Sequence, residues 1–293
     1  MAWAGAAVAV AGMAAVASAA AWAEWARAAG WAAWGSDGEP EHALERGMPA
    51  TPAWPPQSAP RLFVETTLSP GEIRIDGPQA HYLISVMRIK LGEAIKLFDD
   101  RTGEWAGVAR QIGKRDLILE VTDQLREREP VPDLWLCAAP IKKGRIDWIA
   151  EKACELGVDR LVPVLTRRAV VDKLNLERLR THMIEAAEQC GRTALPRLDE
   201  MVKLPALLRD WPEERVLFFA DETGGVPAVD AMRANPGPAA ILIGPEGGFD
   251  DSEREAIKAH PRAIGIALGP RILRAETAAA AAVALWMGAA GDW

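Results

Sequence analysis

Between residues 134 and 290 short apolar runs alternate with amphipathic segments, and no other feature of this chain limits its fold as strongly. Residues 134–139 (LWLCAA), 158–165, 216–220 (VLFFA), 240–244 (AILIG) and 264–268 (IGIAL) are almost continuously apolar, as strands covered on both faces are. Between them, residues 145–156, 176–190, 252–259 and the Ala-rich 277–287 read as helices. In the first of these Ile146, Ile149, Ala150, Ala153 and Leu156 share one face and Gly157 ends it. In the third, Ser252 and Glu255 are spaced as a capping box. Strands alternating with helices predict an α/β domain built on a mainly parallel sheet over residues 134–290.

Residues 61–130 follow a different rule. Residues 61–66 (RLFVET), 71–75, 94–98 (AIKLF), 104–110 and 116–121 (DLILEV) read as strands, with turn clusters at 99–103 and 113–116. Short strands with regular turns predict a small β-barrel. One helical stretch, 78–89, interrupts them, with Tyr82, Val86 and Ile89 at helical spacing and His81 and Arg88 projecting from it. This segment reads either as a surface plug of the barrel end or as an RNA-facing surface with Arg61, Arg88 and Lys90 on phosphate. Residues 127–133 (EREPVPD), with two prolines, read as a linker.

Residues 1–60 resemble neither unit. The first 34 are almost all Ala, Trp, Gly, Val and Met, 37–45 are acidic and 51–60 are Pro-rich. A membrane anchor, a disordered tail and a start codon placed too early all account for this composition, with Met48 as the alternative start. The stretch lacks the cationic flank of a signal peptide, and Ala and Gly insert weakly into membranes. The expectation is a tail without stable membrane association.

Charge and cysteines exclude several classes. The net charge of −7 opposes a diffuse nucleic-acid footprint, so phosphate contacts must come from local clusters: Lys142, Lys143 and Arg145, or Arg167 and Arg168. Three cysteines (Cys137, Cys154, Cys190) without a CxxC pair, and four histidines without ligand spacing, predict no disulfide framework and no metal. The chain has no GxGxxG, GxxxxGK[ST] or GxSxG sequence, which removes the main support for dinucleotide, P-loop and α/β-hydrolase readings.

Two loops remain as candidates for chemistry. Residues 244–249 (GPEGGF) and 268–277 (LGPRILRAET) each follow a buried strand. Ligands of open α/β sheets bind beyond the carboxyl ends of the strands, and glycines let a backbone approach a ligand closely. Glu246 is either a ligand-orienting carboxylate or an acid favoured by the dipole of the following helix. Arg274 and Glu276 are either a structural ion pair or a cation and an acid facing a substrate.

Here the residues resemble a known family. LIGPEGGF at 242–249 and LGPRILRAETA at 268–278, with EKACELGV at 151–158 and EAAEQCGRT at 185–193, are similar to the bacterial small-subunit (16S) rRNA uridine-N3 methyltransferases of the SPOUT superfamily. The resemblance covers residues 61–287. It implies a PUA-like β-barrel, an α/β domain with a trefoil knot, and a homodimer with the cofactor site near the subunit interface. It also implies a cytoplasmic enzyme of ribosome biogenesis acting on 16S rRNA of the small ribosomal subunit. S-adenosyl-L-methionine would lie against Leu242, Gly244, Pro245, Glu246, Gly247 and Gly248 on one side. On the other it would meet Leu268, Gly269, Ile272, Leu273 and Thr277. Arg274, Glu276 and Thr277 would face the methyl donor and the uracil. RNA contacts are expected from Arg61, His81, Arg88, Lys142, Arg145, Arg167, Arg168 and Arg192, the last either to RNA or to the partner subunit. At residues 166–169 (TRRA) the chain departs from the Ser-Glu-Arg-type sequence of the family, so no role for an acid or serine transfers there.

The chemistry this implies needs no metal. Uracil N3 carries a proton at neutral pH, so Arg274 is expected to stabilise negative charge on a uracil oxygen. Glu276 would orient Arg274 or accept the proton. The target must be unpaired or flipped out, because base pairing occupies N3. Two rivals remain at this point: a SPOUT methyltransferase acting on another RNA, and a non-catalytic RNA-binding or assembly factor.

Overall fold

The computed structural model describes residues 55–56 and 58–293; the expectations for the N-terminal tail lie almost wholly outside them. The first sheet contains β1 (Arg61–Phe63), β2 (Gly71–Ile75), β3 (Ala94–Phe98), β4 (Glu104–Ile112) and β5 (Leu117–Arg126) in the order β1-β3-β4-β5-β2. All neighbours are antiparallel except β1 and β3. Three register shifts along β4 mark bulges that bend the sheet. Both edge strands contribute to one core, Leu62 from β1 and Ile75 from β2, with Ile95, Leu97 and Leu119 between them.

The helix expected over 78–89 is short. Helix α1 (Gly77–His81) passes into a π-helical turn, Tyr82–Val86, in which the Met87 N–H donates to the Tyr82 carbonyl at 2.9 Å. Arg88 then takes a left-handed conformation, φ 55°. This irregular path buries both Leu83 and Ile89, which a regular helix ending in solvent would not achieve.

The second sheet is wholly parallel. Its strands β6 (Leu134–Ala138), β7 (Arg160–Leu165), β8 (Arg197–Leu198), β10 (Val216–Ala220), β11 (Val226–Pro227), β12 (Ala239–Ile243) and β13 (Ala263–Ala267) run in the order β11-β13-β10-β12-β6-β7-β8, and β9 (Val202–Lys203) pairs with β7. The order departs from the sequence: β12 lies between β10 and β6, so late chain returns to the middle of the sheet. Alternation along the strands divides the core. Leu134, Leu136, Phe218, Ile241 and Ile243 join one cluster, while Cys137, Leu217, Phe219, Ala240 and Leu242 join another. All five residues of β12 are buried, which accounts for its unbroken apolar run.

The helices are α2 (Arg145–Glu155), α3 (Leu176–Cys190), α4 (Leu204–Arg209), α5 (Ala228–Ala234), α6 (Asp251–Ala259) and α7 (Ala275–Ala290). Residues of α2, α3, α5 and α7 pack in the first cluster, and Ile257 of α6 and Leu204 of α4 in the second. The capping box of α6 lies two residues earlier than expected. Asp250 accepts from the Glu253 N–H at 2.8 Å, and Glu253 accepts from the Asp250 N–H at 3.2 Å; Ser252 only supports Asp250 at 2.8 Å. Helices α4 and α5, of six and seven residues, go beyond the sequence expectations, because so few turns show no clear period.

Two arginines expected at an RNA surface are instead internal. The Arg61 guanidinium pairs with Glu104 at 2.5 Å, lies 4.5 Å over the Phe98 ring, and donates to the carbonyls of Ala187, Glu188 and Arg192. Arg192, 6% exposed, donates to the carbonyls of Cys154 at 2.6 Å and Val158 at 2.8 Å. The last carbonyls of a helix have no partner within it, and a cation there also complements the helix dipole. Arg61 serves α3 in this way and Arg192 serves α2, so neither guanidinium is free for phosphate. The expected linker is pinned as well: Glu129 accepts from the N–H groups of Thr193 and Ala194 at 3.0 and 3.2 Å.

Candidate active site

Five loops leave the carboxyl edge of the parallel sheet, after β6, β7, β10, β12 and β13. The β12 loop is built on a turn closed by the Gly248 N–H donating to the Pro245 carbonyl at 2.9 Å. Gly248 needs its glycine for its φ of +65°; a Cβ there would also lie 2.5 Å from the Glu222 carboxylate, the end of a flexible side chain that can move aside. A Cβ at Gly244 would press on the Phe249 ring at 3.2 Å. Phe249 itself is 1% exposed. Burying such a ring contributes about 1.5–3 kcal/mol, and it anchors the loop to the core. In the β13 loop Gly269 has φ +112° with open space around its Cβ direction, and Ile272 is 92% exposed.

The two glycine loops meet. Arg145, the first residue of α2, reaches Glu246 of the β12 loop at 3.2 Å and Glu276 of α7 at 3.5 Å. Glu276 and Thr277 lie in the first turn of α7, with Arg274 as its N-cap residue. Arg274 is exposed and makes no side-chain hydrogen bond or ion pair among the described residues. Of the two readings of Arg274 and Glu276, the structural ion pair does not form; Glu276 pairs with Arg145 instead. The second oxygen of Glu276, Oε2, is buried without a partner, and so is the hydroxyl of Thr166 at the end of β7. Leu242 is fully buried in the sheet beneath the loop, while Leu268 and Leu273 are half-buried at the opposite loop.

Arg167 and Arg168 brace the β12 loop and α6. Arg167 pairs with Asp250 at 3.1 Å and its N–H donates to Glu253 at 2.8 Å; Arg168 donates to the Gly247 carbonyl at 2.9 Å. Both side chains remain exposed. Lys142, His81 and Arg88 are also exposed. His81 sits 3.2 Å from the Ser85 hydroxyl and borders a cavity of about 470 Å³ with Arg74, Lys114 and Arg115. A second cavity, about 320 Å³, lies beside Arg128, Arg180 and Arg197. Neither coincides with the glycine loops.

Sequence reasoning missed the β10 loop. Asp221, buried at its start, is held below the ordinary carboxylate range. Burial alone would raise it, but hydrogen bonds from Lys258 and from Thr223 outweigh that penalty. Next to it Glu222 touches Arg254 and fills the space over Gly248. The Asp-Glu-Thr-Gly-Gly signal after an apolar strand was available, but nothing in the sequence tied it to the other loops.

A bound sulfonium nucleoside fits these residues. Backbone-rich glycine turns face the edge, carboxylates are gathered there, and two buried oxygens lack partners. Among the described residues no group of three or more His, Cys, Asp or Glu side chains has the arrangement of a metal site. No helix there is long and apolar enough to cross a membrane.

Comparison with known proteins agrees with this geometry. Residues 127–287 match the RNA methyltransferase domain family, and residues 75–122 match the RNA methyltransferase PUA domain. Ribosomal RNA small subunit methyltransferase E of Rickettsia conorii is 30% identical over 208 residues, 70% of this chain and 84% of that protein. The Bacillus subtilis protein of the same name is 29% identical over 236 residues, 74% and 92% of the two chains. The Neisseria gonorrhoeae protein of that name, solved with S-adenosyl methionine bound, superposes with a TM-score of 0.72 at 26% identity, over 80% of this chain and 99% of that one. A putative methyltransferase from Legionella pneumophila, also with bound cofactor, gives 0.71 at 28% identity over the same shares. The expected fold class holds: a SPOUT-type α/β methyltransferase domain preceded by a PUA domain. Sheet order, loop geometry and sequence likeness thus converge, and the chain belongs to the RNA methyltransferase family of ribosomal RNA small subunit methyltransferase E.

Proposed function

We infer that this chain transfers the methyl group of S-adenosylmethionine to N3 of an unpaired uridine in 16S rRNA. The observation that carries the reading is the convergence of Glu246, Arg145 and Glu276, which joins the two glycine loops at one edge of the sheet. When bound, the cofactor supplies an electrophilic methyl carbon on a sulfonium. The loop backbones at Gly244, Gly247, Gly248 and Gly269 would hold the adenosine portion. Glu276 Oε2, the acceptor without a partner, takes the proton from N3 as the new N–CH₃ bond forms and the methyl–sulfur bond breaks. Exposed Arg274 stabilises the charge that develops on a uracil oxygen. Alignment of N3 with the methyl group and sulfur supplies much of the rate.

The remainder of the reading concerns what holds the RNA. His81, Arg88, Lys142, Arg167 and Arg168 are exposed cations or titratable groups suited to phosphate, and each would add one increment of salt dependence. A homodimer is part of the same reading: Ile272, 92% exposed beside the site, is the kind of apolar group a second subunit covers. The setting is the cytoplasm, during assembly of the small subunit. The decisive experiment is nucleoside mass spectrometry of small-subunit rRNA from a deletion strain, with re-addition of purified protein and cofactor. Loss and recovery of N3-methyluridine supports the assignment; a different missing nucleoside refutes it. Sedimentation of the protein tests the dimer.

A further inference from the structure

Arg145 occupies a position where helix electrostatics disfavours it. It is the first residue of α2, following Gly144 at φ +88°. The positive end of the helix dipole lies there, and an acid is the favoured neighbour. Asp147 already serves that end, accepting from the Gly144 N–H at 3.1 Å. A cation at this point therefore has its reason outside the helix. The visible reason is the pair of carboxylates on two other segments, Glu246 at 3.2 Å from Nη1 and Glu276 at 3.5 Å from Nε. Among the described residues no other side-chain hydrogen bond or ion pair joins the β12 loop to the first turn of α7. Nη1 donates to Glu246 while Nε lies within ion-pair distance of Glu276, so two nitrogens of one guanidinium face two carboxylates, which the single ammonium of a lysine cannot reproduce.

We propose that Arg145 is a positioning residue: it ties the two glycine loops together and holds Glu276 by Oε1, so that Oε2, buried and without a protein partner, is the oxygen kept for the N–H of the substrate base. The role given to Glu276 rests on the methyl-transfer reading; the tie between the loops does not. The assignment also replaces the RNA contact that the sequence suggested for Arg145. Its side chain is 39% exposed, and its charge is already engaged by two acids.

Two measurements on the full chain test this. The first is amide hydrogen exchange of the cofactor-free protein, comparing wild type with Arg145→Met and Arg145→Lys. Exchange at residues 244–249 and 272–277 should rise together in Arg145→Met while the central strands keep their protection, and Arg145→Lys should restore one segment better than the other. Unchanged exchange in both segments overturns the tie. The second is a kinetic cycle with Glu276→Gln. Arg145→Met alone should lower kcat by roughly tenfold or more, with the KM for RNA little changed. The double variant should be no slower than Glu276→Gln by more than about twofold. Independent, multiplying losses overturn the proposal, and so does an effect confined to the RNA KM that fades with salt, which is the signature of a phosphate contact. If Arg145→Met does not fold, Glu246→Gln removes one arm of the same tie and is read by the same exchange experiment. Failure of the functional reading is separate, because wild type would then leave small-subunit rRNA unmethylated while the exchange result still stood.

Discussion

The junction between the two sheets and the carboxyl edge of the parallel sheet use arginine in opposite ways. At the junction, half-buried Arg61 and buried Arg192 have most of their donors matched to carbonyls of Ala187, Glu188, Arg192, Cys154 and Val158. At the edge, Arg274 is exposed and unmatched among the described residues, and the acid beside it, Glu276, keeps one buried oxygen without a partner. A satisfied polar network rigidifies, whereas a buried polar atom left without a partner calls for a missing one. The contrast separates arginines engaged by the fold from an exposed, unmatched one better than position in the sequence does.

Substitutions can break this contrast. The largest effect is expected at Glu276→Gln. Loss of a proton acceptor should lower kcat by about 10²–10⁴-fold with cofactor affinity nearly kept; single-turnover kinetics and calorimetry check it, and a loss confined to binding would remove Glu276 from the chemistry. At the junction, Arg61→Ala leaves Glu104 buried with one partner fewer and uncaps α3. A cost of about 3–5 kcal/mol in urea unfolding is expected, with little change in kcat for the protein that remains folded. Arg274→Ala should reduce turnover by about 10²–10³-fold without lowering the unfolding midpoint; a stability loss like that of Arg61→Ala would erase the distinction between the two regions.

Acid pH sharpens the comparison more gently. Burial would raise the Glu104 carboxyl, but hydrogen bonds and charge from Arg61 and Arg126 hold it below the ordinary range. A depressed folded-state value contributes stability that is complete above the unfolded value, about 4.3, and is lost as pH falls through the lower folded value. Unfolding midpoints should therefore decline below about pH 4, and Glu104→Gln should flatten that slope. The smallest effect belongs to Lys142→Ala, which should weaken RNA binding uniformly and reduce the salt slope by about one, leaving cofactor binding unchanged.

The parallel sheet was legible because its strands are buried on both faces: an unbroken apolar run such as that of β12 would be costly to leave in water on either side. The glycine loops were legible for the same reason, since each interrupts such a run. The path of residues 82–88 was not, because a π turn and a left-handed Arg88 leave the helical spacing of Tyr82, Val86 and Ile89 intact on paper. The capping box of α6 was misplaced because Asp250 and Glu253 satisfy the same spacing rule as Ser252 and Glu255, and only hydrogen bonds choose between them.

By itself, then, the sequence determined the long strands and helices, and the two glycine loops that hang from the carboxyl ends of strands. Those properties depend on local periodicity and on glycine. What the tertiary structure decided is the company each charge keeps. Arg61, Arg145, Arg192 and Arg274 look alike in a one-dimensional reading. Their partners lie 34 to 131 residues away or are absent among the described residues. Since the energy of a charge depends on its burial and on its neighbours in space, chain folding alone could place two of them at helix ends, one between two loops, and one exposed at the edge of the sheet.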